Sequence, residues 1–206
     1  MIRVGLTGGL ASGKSFIGQE LSRLGCCLIQ ADELGHQVMA KGAEAYPDIV
    51  KEFGDSILTA DGEIDRRKLA AVVFEKPDLL AQLSAIVHPQ VRARARLLEK
   101  IFQESEPTGI CVVEAAILVE TGRFRDYAKL IVASCTEEQQ IERAMERGHF
   151  SGPISRSEAL HRLSRQMPLE EKVKYADYVI DTSGTKEHTL DQTRMVYASL
   201  RSLPPS

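Results

Sequence analysis

One stretch constrains this chain more than any other: T-G-G-L-A-S-G-K-S-F, residues 7–16. A short apolar run, Ile2 to Leu6, precedes it, and Ile17, Leu21 and Leu24 recur after it at helical spacing. Glycine loses more backbone freedom on folding than any other residue, so three glycines within six positions need a reason. Gly8-Gly9-Leu10-Ala11-Ser12-Gly13-Lys14-Ser15 fits the pattern G-x-x-x-x-G-K-[ST] between a strand and a helix. The bland alternative is a Gly/Ser turn joining the two elements. The chemical reading is anion capture, in which successive N–H groups form a nest for phosphate oxygens and the helix adds its positive dipole end. On that reading the backbone of Gly9, Ala11, Ser12, Gly13, Lys14, Ser15 and Phe16 cradles the phosphates of ATP. Lys14 places a cation on the β and γ phosphates, and the Ser15 hydroxyl is the expected Mg²⁺ ligand. Phe16 stands where a threonine is frequent and contributes only its N–H.

The pattern beyond the loop is that of a parallel α/β protein. Cys26 to Ile29 is a second apolar run, so strand, helix and strand form a βαβ unit. Residues 33–104 read as almost wholly helical, in three faces: Leu69, Val72 and Val73; Leu79, Leu80, Leu83 and Ile86 after Pro77; and Val91, Leu98 and Ile101, with Pro89 near the first turn of a third helix. Strands resume at 109–114 and 129–133, followed by a helix over 137–147. The stretch G-H-F-S-G-P-I-S-R at 148–156 has a loop signature, with Gly148 and Gly152 as hinge or tip residues. A polar helix to about Gln166, a strand at 178–180 and a helix over 187–203 complete the chain.

Net charge is −3 with a pI near 6.0, which favours neither nucleic acid nor an anionic membrane. Cys26, Cys27, Cys111 and Cys135 show no metal-ligand spacing and read as reduced thiols. With no signal peptide and no long apolar run, the expectation is a cytoplasmic protein. No Asn-Lys-x-Asp motif of the GTPases follows a later strand. A kinase needs a group that takes the acceptor's proton. Asp32 stands just beyond the second strand, at the end of the sheet where ligands bind. It is either the general base or a helix N-cap for Glu33 onward.

Several segments in one order carry a family likeness. T-G-G-L-A-S-G-K-S, A-D-E-L-G-H-Q-V, D-G-E-I-D-R-R-K-L-A-A-V-V-F, L-S-A-I-V-H-P-Q-V, V-V-E-A-A-I-L-V-E-T-G, R-A-M-E-R-G and R-L-S-R-Q-M-P-L-E-E-K-V-K-Y-A-D-Y-V-I-D-T-S-G together resemble the dephospho-coenzyme A kinase family nearly end to end. The resemblance implies a three-layer αβα phosphate-loop core with a parallel sheet, an inserted helical acceptor subdomain and a lid. The core comprises 1–32, 105–147 and 172–206, the acceptor subdomain 33–104 and the lid 148–171. It implies phosphorylation of the ribose 3′-hydroxyl of dephospho-coenzyme A by ATP with Mg²⁺. Other classes stay open at this point: another small-molecule or nucleotide kinase, or a nucleotide-binding regulator without an acceptor. Whether the chain acts as a monomer or a small homo-oligomer is also open.

The resemblance also implies roles for individual residues. Asp32 matches the base position. Arg147, at the end of the helix entering the lid, matches an arginine that stabilises the transferring phosphoryl group; its bland role is to complement the helix dipole. Arg143, one turn earlier, is a weaker candidate. Arg66 holds an acceptor phosphate or, with Arg67 and Lys68, forms a solvated face. His88 contacts the acceptor or caps a helix begun by Pro89. Arg92 and Arg96 read as surface charge. Glu114, ending an apolar strand, takes a water-mediated part in holding Mg²⁺. Glu120, Gln166 and Lys172 match positions without an assigned task, the last two equally readable as exposed helix residues. Gln30, His36 and Thr182 depart from the family pattern, where aspartate, arginine and asparagine are frequent.

Overall fold

The computed structural model describes residues 1–73, 76–147 and 154–204, with Arg147 described by its backbone alone. Five strands form one sheet: β1 (Ile2–Gly8), β2 (Cys27–Gln30), β3 (Ile110–Glu114), β4 (Lys129–Ser134) and β5 (Tyr178–Asp181). Their order is β2-β3-β1-β4-β5 and every pairing is parallel. Such pairing needs crossover connections, and helices supply them: α1 (Lys14–Arg23) leads from β1 to β2, and α6 (Glu137–Arg147), α7 (Arg156–Ser164) and α8 (Leu169–Val173) lie between β4 and β5. α9 (Lys186–Arg201) closes the chain.

Both faces of the sheet are covered, which is why its strands read as continuous apolar runs rather than alternating ones. β4 shows the arrangement residue by residue. Ile131 and Ala133 join Val4, Leu6, Ile17, Leu21, Val112, Val196 and Leu200 under α1 and α9. Leu130 and Val132 point the other way, to Leu118, Val119, Leu169 and Val173. Cys26 and Cys111 are buried and all four cysteines are free thiols. Burial pushes the Cys26 thiol up to about 12.

The chain divides into two compact units, one of Met1–Gln30 with Ile101–Ser206, the other of Ala31–Lys100. The second contains α2 (Ala31–Val38), α3 (Tyr46–Phe53), α4 (Arg66–Val73) and most of α5 (Pro77–Ser105). Its core is Val38, Ile49, Ile57, Leu69, Val73 and Val87. An antiparallel bridge between Leu58 and Ile64 is an extended feature that the helical reading did not include. α5 is the larger correction: Pro89 starts no third helix but lies inside one helix of 29 residues. Proline removes the bond to the carbonyl four residues back and strains the helix. The apolar face of Leu83, Ile86, Val87 and Val91, packed on the unit's core, holds the turn together across that defect. α8 is a further element that the periodicity, broken by Pro168, did not reveal.

Leu21 is fully buried between α1 and the sheet. Leu21→Ala is expected to cost about 2–5 kcal/mol of stability in urea denaturation, because the surrounding strands cannot collapse into the space left.

Candidate active site

The site grows from the carboxyl end of β1. Parallel pairing sets Leu6 beside Glu114 of β3 and Gly8 beside Ala133 of β4, so the loop leaves the sheet between these two strand ends. Gly13 caps α1 with φ 90°, a left-handed conformation that side chains disfavour. A side chain there would also press within 3.1–3.3 Å of Thr182. At Gly9 a Cβ would lie 2.1 Å from the Gln140 side-chain nitrogen. Ala11 too is left-handed, at φ 50°. Non-glycine residues adopt that conformation only where their surroundings impose it.

Those surroundings are polar side chains gripping the loop. Lys14 Nζ donates to the Gly9 carbonyl at 2.8 Å. Gln140 of α6 donates to the Leu10 carbonyl at 2.7 Å, and the Leu10 N–H donates to Gln166 at 2.9 Å. The Leu10 side chain is buried among Ile141, Ala144, Ile154 and Ala159. Thr182 Oγ1 donates to the Ser12 carbonyl at 2.8 Å. Arg143 donates to the Thr182 hydroxyl at 3.2 Å and to its carbonyl at 2.6 Å.

Lys172, open as an exposed helix residue on sequence grounds, is completely buried. Its ammonium pairs with Glu120 at 2.7 Å and donates to the carbonyls of Ala116 at 2.8 Å and Gly8 at 3.4 Å. Its three acceptors offset the cost of burying an ammonium group there. Glu120 also accepts from the Met167 N–H at 3.2 Å.

Ser15 and Glu114 come together. The Ser15 hydroxyl donates to one Glu114 oxygen at 2.7 Å, and Gln30 donates to the other at 2.9 Å. Both residues offer hard oxygen donors, and among the described residues no group of three His, Cys, Asp or Glu forms a cage. That donor set fits Mg²⁺, which keeps water and phosphate oxygens and takes one or two ligands from protein. Gln30 is a neutral donor where a carboxylate would repel Glu114.

In the helical unit, Asp32 is exposed and lies in the first turn of α2, which begins at Ala31. It is therefore within the helix rather than its cap. Asp65 accepts from the N–H groups of Arg67 and Lys68 at 2.9 and 3.2 Å, capping α4 and placing Arg66 at its exposed first position. His36 is lowered from its ordinary 6.5, first by burial and then by Arg66. His88 is exposed in the middle of α5, so the capping alternative for it falls away. Arg92 is half-buried and Arg96 exposed on the same helix. The Arg147 side chain, Gly148 and Gly152 lie outside the described residues.

The five-stranded parallel sheet and the glycine-rich loop opening α1, with its Lys-Ser pair backed by an acidic strand end, are the features of a phosphate-loop nucleotide-binding protein. A solved structure titled TT1252 from Thermus thermophilus superposes with a TM-score of 0.79 at 29% identity, covering 96% of each chain. Dephospho-CoA kinase from Campylobacter jejuni superposes with a TM-score of 0.67 at 25% identity, over 97% of this chain and 96% of that one. Dephospho-CoA kinase of Aquifex aeolicus is 42% identical over 204 residues, 99% of this chain and all of that protein. The family model described as Dephospho-CoA kinase matches residues 2–188, and the chain belongs to that family.

Two outcomes follow from the charges placed here. Lys172→Met removes the cation from beside Glu120 and two carbonyls; urea denaturation is expected to show a loss of about 3 kcal/mol or more. His36, with its pKa lowered in the fold, binds fewer protons folded than unfolded as pH drops. Stability should therefore fall as pH is lowered through about 6.5 and be unaffected by this group well above it. Thermal melts from about pH 5.5 to 7.5 should show a smaller slope in His36→Gln.

Proposed function

We propose that the protein transfers the γ-phosphoryl group of ATP to the ribose 3′-hydroxyl of dephospho-coenzyme A, giving coenzyme A and ADP, the last step of coenzyme A synthesis. The observation that carries this reading is the 2.7 Å bond from Ser15 to Glu114 directly behind the phosphate loop, in a chain of this family. The N–H groups of Gly9, Ala11, Ser12, Gly13, Lys14, Ser15 and Phe16 meet the triphosphate oxygens, and Lys14 contributes a cation. Mg²⁺, held by Ser15 and through Glu114, would neutralise charge on the β and γ phosphates.

Asp32 takes the proton of the attacking hydroxyl, a role that suits an exposed carboxylate with no side-chain hydrogen bond among the described residues. The unit of residues 31–100 is the acceptor side, with Arg66 for an acceptor phosphate and His88 as a further contact. Arg147 is the arginine that meets the transferring phosphoryl group. Residues 148–171 act as a lid, whose closure keeps water from the γ-phosphate. The working compartment is the cytoplasm; no helix among the described residues is long and apolar enough to cross a membrane.

The test is phosphate transfer from ATP to dephospho-coenzyme A by purified protein, with and without Mg²⁺, against nucleoside monophosphates and sugars as competing acceptors. Asp32→Asn is expected to lower kcat by about 10²–10⁴-fold with ATP affinity nearly unchanged. Transfer to another acceptor class, or an Asp32→Asn enzyme of ordinary turnover, would overturn the assignment.

A further inference from the structure

A peptide unit is planar and trans, so the carbonyl of one residue and the N–H of the next point in opposite directions. Whatever binds a loop carbonyl therefore also aims the following amide. Two such peptides in the loop are held by neutral side chains from distant elements. Gln140 donates to the Leu10 carbonyl at 2.7 Å, which turns the Ala11 N–H the other way. Thr182 donates to the Ser12 carbonyl at 2.8 Å, which turns the Gly13 N–H the other way. Neither amide has a protein acceptor among the described residues.

We propose that Gln140 and Thr182 are positioning residues for the triphosphate: by holding the Leu10 and Ser12 carbonyls they aim the Ala11 and Gly13 amides at phosphate oxygens. The inference rests on reading the loop as a triphosphate site. Both side chains are built for the task. Gln140 is only 4% exposed and Thr182 only 6%, so neither bond competes with bulk water. Arg143 donates to the Thr182 hydroxyl, which leaves that hydroxyl's own proton for a carbonyl, shared between Ser12 and Ser134 at 2.8 and 3.1 Å. Gln166 accepts the Leu10 N–H at 2.9 Å, so the residue is gripped on both its polar groups. Lys172, 3.4 Å from the Gly8 carbonyl, bears in the same way on the Gly9 amide. Left unheld, these peptides would be free to rotate, and the loop would have to be ordered at the expense of phosphate affinity.

Calorimetric binding of ATP and of tripolyphosphate to wild type, Thr182→Val, Thr182→Ser and Gln140→Met tests this, with dephospho-coenzyme A binding and melting temperature measured alongside. Both phosphate ligands are expected to bind about three- to tenfold more weakly to Thr182→Val and to Gln140→Met. Thr182→Ser, which keeps the hydroxyl, should restore binding to within about twofold, and affinity for dephospho-coenzyme A should not move. A variant with the wild-type melting temperature and the wild-type Kd for tripolyphosphate overturns the proposal, as does equal weakening of dephospho-coenzyme A. Should Thr182→Val fail to fold, Gln140→Met decides by the same criterion. Wild-type protein that binds neither phosphate ligand refutes the loop reading itself. Wild type that binds both but does not phosphorylate dephospho-coenzyme A refutes the activity alone.

Discussion

Parallel strands cannot be joined by hairpins, so each strand must leave the sheet at the same edge before a helix carries the chain back. In this sheet β1 is central, flanked by β3 and β4, and the exits of all three lie side by side. That constraint sets the loop after Gly8 next to Glu114 on one side and Ala133 on the other. Helix α1 then starts from the loop itself, so its first-turn Ser15 reaches Glu114 from across the strand end. The glycine-rich loop, the Ser15 hydroxyl and its acidic partner are thus brought together by one pairing pattern, beside the most deeply buried part of the protein.

The polar groups packed beneath the loop are matched with care for charge. Two of the loop's carbonyls, those of Leu10 and Ser12, meet a neutral amide or hydroxyl, from Gln140 and Thr182, while Glu114 accepts from the neutral Ser15 and Gln30. Neutral donors satisfy a buried acceptor without adding an ion to desolvate. Cations take part as well: Lys14 holds the Gly9 carbonyl, and the buried Lys172, near the Gly8 carbonyl, comes with its own counter-ion in Glu120. Lys14 is the cation that the loop itself supplies.

Local pattern carried the parts of this molecule that are local. The loop motif, the strand–helix–strand start and the apolar runs of β3 and β4 could all be read from consecutive residues, because β1, β3 and β4 are buried on both faces. Glu114 was legible for the same reason, as an acid closing an apolar run. Asp32 was picked out by its place just beyond the second strand, and the family likeness added Arg66. What escaped were interactions across the chain. The partners of Gln140 and Thr182 in the loop lie 130 and 170 residues away. Nothing beside Gln140 in the sequence distinguishes it from the polar face of an ordinary helix. Lys172 could not be told from an exposed helix lysine because its three acceptors come from Gly8, Ala116 and Glu120. Pro89 misled in the opposite direction: local preference argued for a helix start, and packing of α5 on Val87 and its neighbours overrode it.

The Lys14 ammonium already has an acceptor of its own, the Gly9 carbonyl at 2.8 Å. An ammonium carries three N–H donors, so it can keep this bond and still meet an anion. On the proposed reading, the loop's own carbonyl thereby tethers the cation and sets the side from which a phosphate group meets it.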